Sequence, residues 1–130
     1  MGQCVGHFLG SRKSKTGETP TFDMTQAQKL IEALKHFRDA RDWAQFHNPK
    51  DLALALSIEA AELNEQFLWR KPDDVDRGRV AEELADVFAY ALLLLDTYDL
   101  DLEEIVRKKL EINEKNYPVE ISRSNADKHH

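Results

Sequence analysis

The stretch SIEAAEL, residues 57–63, decides how this chain is read, because it sets Glu59 and Glu62 three residues apart inside an otherwise apolar helical run. Downstream, EELADVF, residues 82–88, does nearly the same with Glu83 and Asp86. Carboxylates are among the side chains least often buried without a partner. Residues three apart lie on one helical face, so each acidic pair converges on a single point. An E-x-x-E on a solvated face carries no signal, and Glu65, Glu82, Glu103 and Glu104 read as plain solvated positions. What distinguishes the two pairs is their company. Ala60, Ala61 and Leu63 flank the first, and Leu84, Ala85, Val87 and Phe88 flank the second, all residue types suited to a core.

The segment KPDDVDRG, residues 71–78, is a loop punctuated by Pro72 and Gly78, with Asp74 or Asp76 as the cap of the helix that follows. A loop this short makes the two pair-bearing helices antiparallel neighbours. Four carboxylates then meet in the groove between them and raise one another's pKa values. A divalent cation relieves that repulsion, and an oxygen-only ligand set selects Mg²⁺ or Mn²⁺ over softer metals. Bundle di-iron sites use Glu-x-x-His; here Glu62 and Asp86 occupy the matching places, which argues against iron. Mg²⁺ keeps several waters and binds through few carboxylates plus substrate phosphates, so the implied substrate is phosphorylated.

Around this centre the period is helical throughout. Ala27, Leu30, Ile31, Leu34 and Phe37 form an amphipathic stripe behind a cap at Asp23 or Thr25. Asn48-Pro49 starts a second helix running to about Trp69, apolar nearly all round at Leu52, Leu54, Leu56 and Ile58 and so expected to be covered on several sides. A third runs from about Asp76 to Asp96, and a fourth from Asp101, paired with Glu104 as an acidic variant of the capping box, to Tyr117-Pro118. No segment has the period of two that a strand requires. The expectation is an all-α, four-helix-bundle-like protomer: a helical catalytic domain at residues 24–118, a flexible glycine-rich leader at residues 1–23, and a disordered tail at residues 119–130. In the leader, GSRKSKT lacks the second glycine of a phosphate loop, and MGQCVG lacks the Ser or Thr of a lipidation start.

The bulk composition bounds the partners. A chain of 130 residues fits one domain. A net charge of -6 argues against general nucleic-acid affinity, although metal-loaded carboxylates can still grip a polyphosphate. Cys4 is the only cysteine, so there is no intrachain disulfide. The run VFAYALLLL, residues 87–95, is too short to span a membrane, and the opening residues lack a secretory pattern. The sequence is therefore expected to be cytoplasmic, with no membrane partner.

These residues together resemble the all-α nucleoside triphosphate pyrophosphohydrolases, the MazG-like enzymes, whose signature is E-x-x-E, a helix-loop interval, then E-x-x-D. The sequence is most similar to the short dCTP pyrophosphatase branch. Four ordered segments carry that likeness: RDWAQFHNPKDLALAL (41–56), FLWRK (67–71), DVFAY (86–90) and KLEINEKNYP (109–118). The resemblance spans residues 27–118 and implies cleavage of a nucleoside triphosphate between its α and β phosphates, giving a monophosphate and pyrophosphate. It implies Glu59, Glu62, Glu83 and Asp86 as catalytic Mg²⁺ ligands, with Mn²⁺ able to substitute. It implies Trp43 and Trp69 as stacking walls for the base, Tyr90 and Asn113 as polar neighbours, and Lys109 as a phosphate contact. His47 borders the same region.

Two positions depart from the branch. Leu34 stands where a histidine is frequent, which bears on the choice of base, and Ala60-Ala61 fill places where glycine is common. The substrate implied is dCTP or a related excess or non-standard deoxynucleotide, removed to keep the precursor pool clean. The second helix needs more cover than one four-helix protomer supplies, so a homodimer or a dimer of dimers is expected. The rival reading is a non-enzymatic helical interaction module with an acidic groove, which predicts indifference to Mg²⁺ and triphosphates alike.

Overall fold

A computed structural model describes residues 23–123, so all but the last residue of the expected leader, and most of the expected tail, lie outside the described residues. Five α-helices follow in order: α1 Gln26–Ala40, α2 Pro49–Glu65, α3 Arg77–Thr97, α4 Leu102–Asn116 and α5 Val119–Ser122, with no strand among the described residues. Single-turn 3₁₀ segments at Ala44–Phe46 and Pro72–Asp74 punctuate the connections on either side of α2.

The helix starts follow side-chain chemistry. Of the two residues suited to cap α1, Thr25 does so: its hydroxyl accepts from the Gln28 N–H at 3.2 Å while the Gln28 side chain accepts from the Thr25 N–H at 2.8 Å. Asn48 accepts from the Asp51 N–H at 2.9 Å ahead of Pro49, whose missing N–H costs nothing in a first turn. Asp76, not Asp74, caps α3 by accepting from the Gly78 N–H at 2.8 Å. Asp101 accepts from the Glu104 N–H at 2.8 Å to open α4. The end of α2 differs from expectation. Its α-helix stops at Glu65 rather than near Trp69, and residues 66–69 turn away, with Trp69 in a left-handed conformation at φ 61°.

The described residues divide into two compact units, one ending at Asp99 and one beginning at Leu100. In the first, α2 runs along α3, and α1 packs on α3. The core is made at the C-terminal half of α3, where Leu92 and Leu95 meet Ile31, with Ala27 and Leu34 packed against them. Lys35 of α1 reaches Asp96 of α3 at 3.6 Å beside this core. The second unit holds α4 and then α5, a one-turn helix within residues that the sequence assigned to the tail.

Cover on α2 is thinner than its composition implied. Leu52 is its one buried residue, at 2% exposure, while Leu54 and Ile58 are 58% and 48% exposed. The physical reason is the placement of α1, which leans on α3 and leaves one flank of α2 open to solvent.

Candidate active site

Facing turns of α2 and α3 bring Glu59, Glu62 and Glu83 together, each half-buried, with one carboxylate oxygen from each lying within 4.8 Å of the others. Glu62 stands beside both Glu59 and Glu83, close enough to perturb each of them. Burial first, then the hydrogen bond to Glu62, then the charges of Glu62, Asp86 and Glu83 push the Glu59 carboxyl up to about 7. Burial, Glu62 and Asp86 raise Glu83 as well, and Arg79 opposes that rise. Two oxygens stay unsatisfied. Glu59 Oε2 and Glu83 Oε2 are buried without a hydrogen-bond partner.

Buried, unpaired acceptors on carboxylates are costly, and natural proteins place them where a cation or a catalytic step uses them. The donor set consists of hard oxygens only, which fits Mg²⁺ or Mn²⁺ and does not fit a thiolate- or imidazole-seeking metal. Asp86 is the looser member. It lies one turn beyond Glu83 on α3 and is more exposed, and its charge reaches both Glu59 and Glu83, yet it does not join the three-oxygen group within 4.8 Å.

Tyr90 stands on the following turn of α3, half-buried. Its phenol is pushed up by burial and then by the charges of Glu59 and Asp86, which places the hydroxyl in the field of the cluster. The His47 ring meets Tyr90 edge-on, with centroids 6.4 Å apart. Burial and then the Arg38 charge lower the His47 pKa, and its Nδ1 is buried without a partner among the described residues.

The two tryptophans sit differently. Trp43 is 46% exposed and meets Phe37 of α1 edge-to-face at 5.8 Å, with the Arg41 guanidinium close by. Trp69 is fully exposed, at 101%, so it has no packing partner among the described residues. A bulky residue at positive φ, as at Trp69, is strained by roughly 1–3 kcal/mol. Lys109 and Asn113 lie one turn apart on α4, within the second unit, Lys109 exposed and Asn113 half-buried.

Three site features escaped the sequence reading. Arg79 sits four residues before Glu83, a spacing that places both on one face of α3 and was legible in advance. Phe37 looked like core stripe, and Arg41 had no visible partner; only folding shows both beside Trp43.

Among the described residues no helix is long and apolar enough to cross a membrane. A family model described as MazG-like matches residues 54–129. The dCTP pyrophosphatase 1 of Bos taurus is 35% identical over 132 residues, covering 92% of this chain and 78% of that protein. The Homo sapiens protein of the same name is 37% identical over 101 residues, covering 72% of this chain, and this chain spans 59% of its length. Among solved structures, a pyrophosphatase from Archaeoglobus fulgidus superposes with a TM-score of 0.68 at 40% identity, covering 76% of this chain and 98% of that one.

Proposed function

Because the chain belongs to the MazG-like family, we propose that it is a nucleoside triphosphate pyrophosphohydrolase that cleaves dCTP, or a closely related deoxynucleotide, to the monophosphate and pyrophosphate. The observation that carries this reading is the trio Glu59, Glu62 and Glu83, with an orphaned buried oxygen on each of the two facing helices. These three carboxylates, together with Asp86, would hold Mg²⁺, for which Mn²⁺ would substitute. A metal held there would supply charge screening at the phosphates and a lower pKa for the attacking water.

Each side chain then has a task. Water attacks the α-phosphorus, the P–O bond to the bridging oxygen breaks, and pyrophosphate leaves with that electron pair. A carboxylate of the cluster takes the proton that the water loses. Tyr90 presents a neutral hydroxyl to the phosphate oxygens beside Glu59 and Asp86. Lys109 meets phosphate, Asn113 the sugar or base, and Trp43 and Trp69 stack on the base.

The exposed flank of α2 and the bare, strained Trp69 support self-association, as a homodimer or a dimer of dimers, with Trp69 reaching a partner's base site. A cytoplasmic location, where the nucleotide pool is found, accompanies this role.

A panel of natural and modified triphosphates, scored by kcat/KM and by pyrophosphate release with Mg²⁺, tests the reading. The expected result is Mg²⁺-dependent release of pyrophosphate, with dCTP or a cytosine derivative preferred. Release of orthophosphate, or no turnover across the panel, overturns it. A monomer mass by gel filtration at micromolar concentration removes the oligomer.

A further inference from the structure

The loop after α1 holds Trp43 in a bracket that its own backbone does not require. Asp42 turns the chain through a left-handed conformation, φ 56°, and the Trp43 N–H then returns to the Arg38 carbonyl at 3.0 Å. The indole comes to rest against the edge of Phe37, with ring centroids 5.8 Å apart and planes at 71°. Arg41 completes the group. Its guanidinium carbon lies 3.6 Å from the centre of the Phe37 ring and 5.9 Å from that of Trp43, and its Nη1 donates to the Phe37 carbonyl at 2.9 Å.

This cluster is not core. Phe37 is 49% exposed and Trp43 46% exposed, and neither joins the buried group around Ile31, Leu92 and Leu95. Three large side chains are ordered at the surface with little apolar burial in return, and ordering them has an entropic cost. A flat guanidinium on an aromatic face is an arrangement that lysine does not reproduce, since the ammonium is compact and strongly hydrated. The result is an indole whose tilt is set before any ligand arrives, with about half of its surface still open. Pre-set aromatic walls raise affinity by removing the ordering cost from the binding step.

We propose that Arg41 is a positioning residue for base recognition: stacked on Phe37 and tied to its carbonyl, it fixes the Trp43 indole in the orientation that receives the nucleobase. This rests on the reading of Trp43 as a base wall. Arg41 acts through Trp43 and does not touch the nucleotide.

The test is a cycle of W43A, R41A, R41K and the double variant W43A/R41A in the full chain, measuring kcat and KM for dCTP, the Mg²⁺ dependence and Tm. Loss of a base–aromatic stack predicts a KM about tenfold or more above wild type for W43A. R41A is expected to raise KM about three- to tenfold with kcat and the Mg²⁺ dependence unchanged, the size of a lost cation–aromatic bracket. R41K is expected to behave like R41A, because charge alone does not restore the stack. In the W43A background, R41A is expected to add nothing.

The outcomes separate cleanly. An unchanged KM for W43A sinks the base-wall reading and this proposal with it. A raised KM for W43A with an unchanged KM for R41A sinks the proposal alone. An R41A effect that persists without Trp43, or full rescue by R41K, makes Arg41 a direct charge contact and overturns the bracket. A fall in Tm with kcat and KM at wild-type values makes it merely the end of α1. Trp43 emission in a W69F background adds a direct readout, in which R41A is expected to increase quenching by acrylamide.

Discussion

The two halves of α3 do opposite work. Its C-terminal half is apolar and covered: Leu92, Leu93 and Leu95 are buried, and Ile31 of α1 packs on Leu92 and Leu95. Its N-terminal half carries Glu83 and Asp86 toward Glu59 and Glu62, and leaves Leu84 at 37% exposure. One half gains stability from burial. The other concentrates like charges and unpaired oxygens, which cost stability in the metal-free chain. A single helix thus anchors the fold at one end and holds the reaction site, at a stability cost, at the other.

The largest effect is expected at the acidic end. Glu62→Gln removes a carboxylate grouped with those of Glu59 and Glu83, and turnover should fall by more than the roughly 10–100-fold typical of losing an outer partner of a metal ligand. The same change removes one of the repelling charges, so Tm without metal should stay level or rise. Pyrophosphate release and a thermal melt on one preparation check both halves; wild-type turnover would remove Glu62 from the metal site.

The reciprocal change is Leu92→Ala. It opens a cavity in the apolar half and should cost about 2–5 kcal/mol, read as a lower midpoint in urea. Below the transition, kcat should match wild type, because the residue is part of the cluster with Ile31 and Leu95 and not of the carboxylate trio. A selective loss of kcat would mean that the two halves are not separable.

Sequence alone exposed the acidic half better than the apolar one. The spacing of Glu59, Glu62 and Glu83 on helical faces, and the caps at Asn48 and Asp101, follow from local chemistry, while sequence leaves the cap of α3 between Asp74 and Asp76. These are short-range features, and the structure shows three carboxylates together and Asp76 as the cap. What depends on long-range packing was not legible. Composition did not say that α1 would lean on α3 and leave Leu54 and Ile58 in water. The periodicity through Trp69 did not register its left-handed backbone, which belongs to the turn after Glu65. Nor did equal spacing in the two pairs reveal that Asp86 stands outside the trio that Glu83 joins. Phe37 fits the α1 stripe by period, yet half of it faces solvent beneath Arg41 and Trp43.

Proton linkage sharpens the contrast. Glu59 is pushed up to about 7 from an ordinary 4.5, so the folded chain binds a proton more tightly than the unfolded one. Stability is then highest below the unfolded value and declines as pH rises through the folded value, a window from about 4.5 to about 7. Glu83 shifts in the same direction and adds to the slope. Melts of the metal-free chain should lose Tm across that window, and Mg²⁺ should restore it most at the upper end, where the carboxylates are free to bind. Metal-dependent activity should rise over the same interval. A Tm that climbs from pH 5 to pH 7 without metal would mean that the carboxylates are not coupled as the structure places them.

The smallest effect belongs to the Lys35–Asp96 contact beside the apolar half. Lys35 and Asp96 approach to 3.6 Å, with about three-quarters of each side chain covered. Methionine retains most of the Lys35 stem while removing the charge. Lys35→Met should therefore cost about 1 kcal/mol or less, as for a partly exposed pair, with the difference shrinking at high salt. Glu62→Gln, by contrast, should hold its activity loss at any ionic strength, since an emptied metal ligand is not a screened surface charge. A Lys35→Met variant that lost several kcal/mol, or lost activity ahead of stability, would show that the covered half of α3 also governs the carboxylates and that its two ends are one cooperative site.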